Sequence, residues 1–379
     1  MANRLSRLIA IAALVSALGI SQQTPGDADL FGAAANERDP AKKLALLDQW
    51  AAKYPETAFR QQRNLHYISA WSTLAGYAAK DGASDTAVTA AQNAAHAMLA
   101  KADALFAPDL MPAGVKAGDW EAARQEFIRQ AHSVLAAVAL NQKNYPAAEA
   151  ELTALLEMNH DDALTSYRLG KAVVAEMRTD RYPVAIFHLA RAVAATGPGA
   201  FNESERKSTE AYLENIYRNY HGDLSGLDEV KRASGDAWIP PPGWTIQSIT
   251  AIAQAQADAD GKFAREHPEV VLWRNLRARL TARDGEEYFA ADVKGAAMSN
   301  LKGKVLAQPD AKTLIVVMDF VDTAKPQAGE AALKFDAALK GRVAEGTLLE
   351  FTGVPQALAK DPFMVTMSVE RKNVKGLTP

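Results

Sequence analysis

The sequence predicts a multidomain chain, α then β: a solenoid of α-helical hairpins followed by a small, mostly antiparallel β-barrel or sandwich. Three observations predict it. Leu135-Ala136 recurs as Leu169-Gly170, an offset of 34 residues, the length of two antiparallel helices with their turns. Pro240, Pro241 and Pro242, flanked by Trp238 and Trp244, end the helical region, because consecutive prolines cannot continue a helix. Beyond Met298 apolar residues alternate with period two, as in Leu314, Val316 and Met318 and again in Phe363, Val365, Met367 and Val369.

A chain of 379 residues exceeds one small core, so the expected segments are a signal over 1–21, a helical repeat domain over 30–235, a Pro-rich linker and helical connector over 236–297, and a β domain over 298–379. Arg4 and Arg7 precede an apolar run of 11 residues, Leu8 to Leu18, and small residues Gly19 and Ser21 follow. Roughly 20 apolar residues are needed to cross a bilayer. The run is shorter and has the layout of a secretory signal cut after Ser21, with an uncleaved N-terminal anchor as the alternative. No later segment approaches membrane length. The expected location is therefore the periplasm or cell envelope.

From Asp39 to Ala233 alanine is dense and apolar residues recur three and four apart. Pro40 suits a first helical turn, and Leu44, Leu47 and Trp50 share one face up to Tyr54-Pro55. From Ile68 the small and apolar positions are Leu74, Ala75, Ala87, Ala91 and Ala94. From Arg129 they are Leu135, Ala136, Ala148, Leu152 and Leu155. From Ala163 they are Leu169 and Gly170, then Ala185, Leu189 and Ala192, the second helix arriving late because Arg178-Thr179-Asp180 lengthens the turn. This spacing resembles that of tetratricopeptide-repeat proteins, and Lys42 to Pro55 reads as a lone second helix of such a unit. Residues 106–119 read as an interrupting loop, and Asn202 to Arg218 as one more helix.

The resemblance implies a groove lined by the first helix of each hairpin. Carried onto this chain, its polar positions are Gln130, Ser133 and Asn141 in one unit and Tyr167 and Lys171 in the next. Those side chains are the candidate partner groove. The connector reads as two helices from Thr245 to Arg283, the second starting at Pro268. Five strands follow, at Leu301–Leu306, Lys312–Asp319, Ala331–Phe335, Thr347–Val354 and Phe363–Val369. Their number and the Leu301-Lys-Gly-Lys-Val305 opening resemble oligonucleotide/oligosaccharide-binding barrels.

Chemistry is sparse. The absence of cysteine excludes disulfides, thiolate metal sites and thiol nucleophiles. Ser204 and Lys207 make a Ser-x-x-Lys, but no Lys-Thr-Gly follows, and the pair reads as a solvated helix face. Asp258-Ala-Asp260-Gly261 lacks the flanking acids of a calcium loop and reads as a polar turn between helices. No His pair has zinc-helix spacing; His132 and His188 read as packed or surface residues, and Asp162 as a helix cap. Net charge is −3 overall, and from Asn300 on 11 basic residues face 9 acidic ones, too even for a nucleic-acid footprint. The expected function is a non-enzymatic scaffold or adaptor that binds a protein or peptide partner, with no cofactor, no metal and no nucleic acid. The alternative is a glycan- or small-ligand-binding module that uses the barrel.

Overall fold

In the computed structural model the described residues are 26–79, 83–321 and 328–377, and the expected signal lies outside them. They form two compact units that divide between Ile249 and Thr250.

The first unit is a succession of helices: α1 (Asp27–Asn36), α2 (Pro40–Lys53), α3 (Arg60–Ala75), α4 (Asp85–Leu105), α5 (Ala117–Asn141), α6 (Tyr145–Met158), α7 (Ala163–Ala175), α8 (Tyr182–Ala194), α9 (Glu203–His221) and α10 (Leu227–Asp236); each packs on the next as far as α9, and α10 packs on α8. Local chemistry sets their starts. Asp39 accepts hydrogen bonds from the Ala41 and Lys42 amides ahead of Pro40, and Asp162 caps α7 by accepting from Thr165. Asn202 and Glu205 form a reciprocal capping box on α9. The lengthened turn before α8 is a single 3-10 turn, Thr179–Arg181.

The small residues picked out by the 34-residue offset lie in the seams. Ala75, Ala91, Ala94, Ala136, Ala148 and Ala185 are buried, and so are Leu135, Leu152 and Leu169. A Cβ on Gly170 would stand 2.7 Å from Leu189 Cγ and 3.0 Å from the Ala185 carbonyl oxygen, so only glycine lets α7 approach α8 this closely.

Two sequence expectations change here. Lys42 to Pro55 is not a lone helix, because α1 packs against it. Its Asp27 carboxylate is buried and accepts from Trp50 Nε1 at 2.6 Å and from the Thr57 hydroxyl at 2.8 Å. The interrupting loop is shorter than 106–119, since α5 already begins at Ala117. The two tryptophans beside the prolines anchor that segment to the helices: Trp238 stacks on His160, and Trp244 donates to the Pro183 carbonyl at 3.0 Å.

In the second unit, α11 (Ile249–Glu266, of which Thr250 onward belongs here) and α12 (Pro268–Thr281) precede the short α13 (Gly285–Tyr288) and a π-turn. Asp258, Asp260 and Gly261 lie inside α11, not in a turn; the alanine-rich surroundings and the Gln254–Asp258 and Gln256–Asp260 bonds carry the helix through the glycine. The break falls at His267-Pro268 instead.

The strands are β1 (Met298–Asp310), β2 (Thr313–Val317), β3 (Ala331–Phe335), β4 (Leu348–Lys360), β5 (Phe363–Val369) and the short β6 (Val374–Lys375). The order β1-β2-β3-β5-β4 closes through β1–β4 pairing into a five-stranded mixed barrel; all its ladders are antiparallel except β3–β5. β1 and β4 are long because each pairs with different neighbours along its two halves. Gly303 marks the changeover in β1, where a Cβ would meet Met318 and Val316 at 3.0 Å. The alternating residues fill the interior: Leu301, Val305, Leu314, Val316, Phe351, Val365 and Met367.

Helix α12 belongs to this core. Trp273, Leu276 and Leu280 pack with the barrel residues, and Trp273 meets Phe363 edge to face. Polar clamps fix it in place. Arg274 pairs with Asp319 through two nitrogens, and Arg277 pairs with Glu330, whose buried carboxylate also accepts from the Met318 and Asp319 amides at 2.9 Å.

Candidate functional site

The groove expected on α5 and α7 contains a cavity of about 190 Å³. Ser133, Ala136, Ala137, Leu140 and Asn141 of α5 line one side, Leu152 and Leu155 of α6 form its base, and Arg168 of α7 stands at the other side. α6 begins at a tight turn after Asn141, in which Lys143 takes a left-handed φ of 57° and Asn144 caps the helix. That turn folds Leu152 and Leu155 back under α5.

The five candidate side chains do not all meet at this cavity. Ser133 and Asn141 line it. Ser133 donates to the Arg129 carbonyl one turn earlier at 2.8 Å, which leaves its oxygen as an acceptor. Gln130 lies a turn away, and its amide donates to the Ser72 carbonyl at 2.8 Å, which ties α5 to α3. Tyr167 and Lys171 are neighbours on α7, with the ammonium 5.3 Å from the ring centroid. Tyr167 packs edge to face with Phe201 and Tyr212, so this pair leans toward α9 and not into the cavity.

Arg168 was not among the expected residues, although it follows Tyr167 directly. It is exposed and, among the described residues, has no ion-pair partner. The site therefore joins an apolar base of leucine and alanine to one free guanidinium, a serine oxygen and an amide. Such a combination is chemically suited to an apolar side chain beside a carboxylate.

Other polar clusters are structural in geometry. His132 Nδ1 lies 2.7 Å from Glu151, joining α5 to α6. Arg191 is buried at the end of α8 and donates to the Ser234 and Ala237 carbonyls at 3.1 and 2.6 Å and to the His160 carbonyl. It satisfies the carbonyls that end α10 and holds the α6–α7 turn against them. His221, Asp223 and Ser225 form a Ser–His–Asp cluster that spacing did not reveal. The order is wrong for a nucleophilic triad: Ser225 donates to Asp223 at 2.5 Å, and His221 Nδ1 faces the Gln247 carbonyl at 2.8 Å, not a carboxylate. Among the described residues no three His, Asp or Glu side chains converge as metal ligands, and no helix is long and apolar enough to cross a membrane. Comparison with protein-family models, with characterised proteins and with solved structures finds no match to this chain.

Proposed function

We propose that the protein is a non-enzymatic interaction scaffold of the periplasm or cell envelope, whose tetratricopeptide-like helices take an extended peptide in the α5–α7 groove. The supporting observation is the cavity between Asn141 and Arg168, which lies where the repeat spacing puts the groove. A peptide fits it by placing an apolar side chain over Leu140, Leu152 and Leu155 and a carboxylate against Arg168. The main chain then meets the Asn141 amide. The charge–apolar–small order of residues 4–21 supports export.

The test is site-specific photocrosslinking of the full chain in cell envelopes. A crosslinker at Asn141 should trap a defined protein, one at Lys207 on the solvent face of α9 should not, and Ala137→Glu should abolish the adduct by filling the cavity and repelling the carboxylate. Equal adducts from both positions would sink the reading.

A second reading rests on the barrel, whose five strands and parallel β3–β5 pair resemble oligonucleotide/oligosaccharide-binding barrels. Glycan or small-ligand binding retained by residues 250–379 alone would favour it.

A further inference from the structure

A second cavity, of about 260 Å³, opens between α2, α3, α4 and the Pro108–Leu110 turn. Its wall carries three cations, Arg60, Arg63 and Lys101, against one carboxylate, Asp48. That carboxylate is already engaged by the Tyr67 hydroxyl, which donates to it at 2.8 Å. Arg60 pairs with Asp109 at 3.0 Å, but both side chains are more than half exposed, so solvent and competing anions reach the pair. Lys101 is exposed and, among the described residues, unpaired.

Arg63 sets the cavity apart. It is 8% exposed, and its guanidinium donates to the Tyr54 and Pro55 carbonyls at 2.6 and 3.0 Å. No carboxylate among the described residues reaches ion-pair distance; Asp27 and Glu56 act on it only from farther away. The Trp50 ring, 5.5 Å from the guanidinium carbon, compensates part of the charge without neutralising it. A buried cation without an anion is costly, and a guanidinium fork matches a carboxylate or phosphate in shape. Leu105 and Leu110 provide an apolar floor.

We propose that this cavity binds a small organic oxyanion, a phosphate monoester or a dicarboxylate, held by Arg63, Arg60 and Lys101. The site is separate from the α5–α7 groove and does not depend on it. The experiment titrates the full-length protein with glycerol 2-phosphate and, separately, with succinate, with ionic strength held constant by chloride. Thermal unfolding and calorimetry are read together. At least one anion should bind saturably and raise the melting temperature, because a ligand that binds only the folded state stabilises it. The anion that binds identifies the source of the charge.

Arg60→Gln and Lys101→Gln alter exposed side chains and should keep the fold. Each should weaken binding about fivefold or more, the scale of losing one charge-assisted contact, while Lys207→Gln on α9 should leave it unchanged. The proposal is overturned if neither anion shifts the melting temperature beyond the chloride control. It is equally overturned if the Arg60→Gln/Lys101→Gln double variant binds like the parent.

Discussion

His188 shows what a single burial does to the pH response. It is 3% exposed on α8, and its Nδ1 has no hydrogen-bond partner. Burial first, then the nearby charges of Arg191 and Arg181, pull its pKa from 6.5 down to about 3. The unfolded chain takes up this proton near pH 6.5 and the folded chain only near pH 3. Between those values the unfolded state holds more protons, so stability falls as the pH drops, by at most about 1.4 kcal/mol per unit. Urea unfolding at pH 7 and pH 4.5 should show this slope in the parent and a shallower one in His188→Gln. Equal slopes would mean that other groups carry the acid response. The sequence marked His188 as a residue of an amphipathic helix but not its depth, because the burial comes from the helices that pack around α8. Arg63 and Arg191 were opaque for the same reason. Nothing local distinguishes a buried arginine that binds carbonyls from an exposed one.

At the scale of elements, the seam between α7 and α8 is the sharpest test of the repeat spacing. Gly170→Val places methyl groups where Leu189 and the Ala185 carbonyl already stand, so it should destabilise the protein by about 1–3 kcal/mol. Gly118, in the first turn of α5, has open space around its Cβ position, so Gly118→Ala should be neutral or stabilise by up to about 1 kcal/mol. Chemical denaturation separates the two, and similar effects at both positions would show that helix propensity outweighs close packing.

Helices and strands were legible because their signals are periodic. Ala331–Phe335 and Phe363–Val369 stand in the structure with the boundaries that alternation predicts. Of the five residues that spacing proposed for a groove, Ser133 and Asn141 line one cavity, but spacing could not foresee that Gln130 serves the α3 carbonyl or that Tyr212 draws Tyr167 aside. Those partners come from other helices and carry no local signature.

At the scale of the whole molecule, the division at Ile249 puts α12 with the strands. A fragment of residues 298–379 would leave bare the apolar surface that Trp273, Leu276 and Leu280 cover, and would strip Glu330 of Arg277. Burial of such side chains contributes roughly 1.5–3 kcal/mol each. Residues 250–379 should therefore unfold cooperatively and resist proteolysis, while residues 298–379 should bind a hydrophobic dye and be digested quickly. Comparable protection of both fragments would show that the helix is dispensable.

The packing of α12 against the strands also bears on what the β unit can do. Among the described residues, leucine, valine, phenylalanine and methionine fill its interior. The room for a solute lies beside the barrel instead: a cavity of about 320 Å³ opens where α12 meets the residues leading into β1, bordered by Leu272, Arg279, Tyr288, Asp292 and Met298, and its size suits a compact molecule.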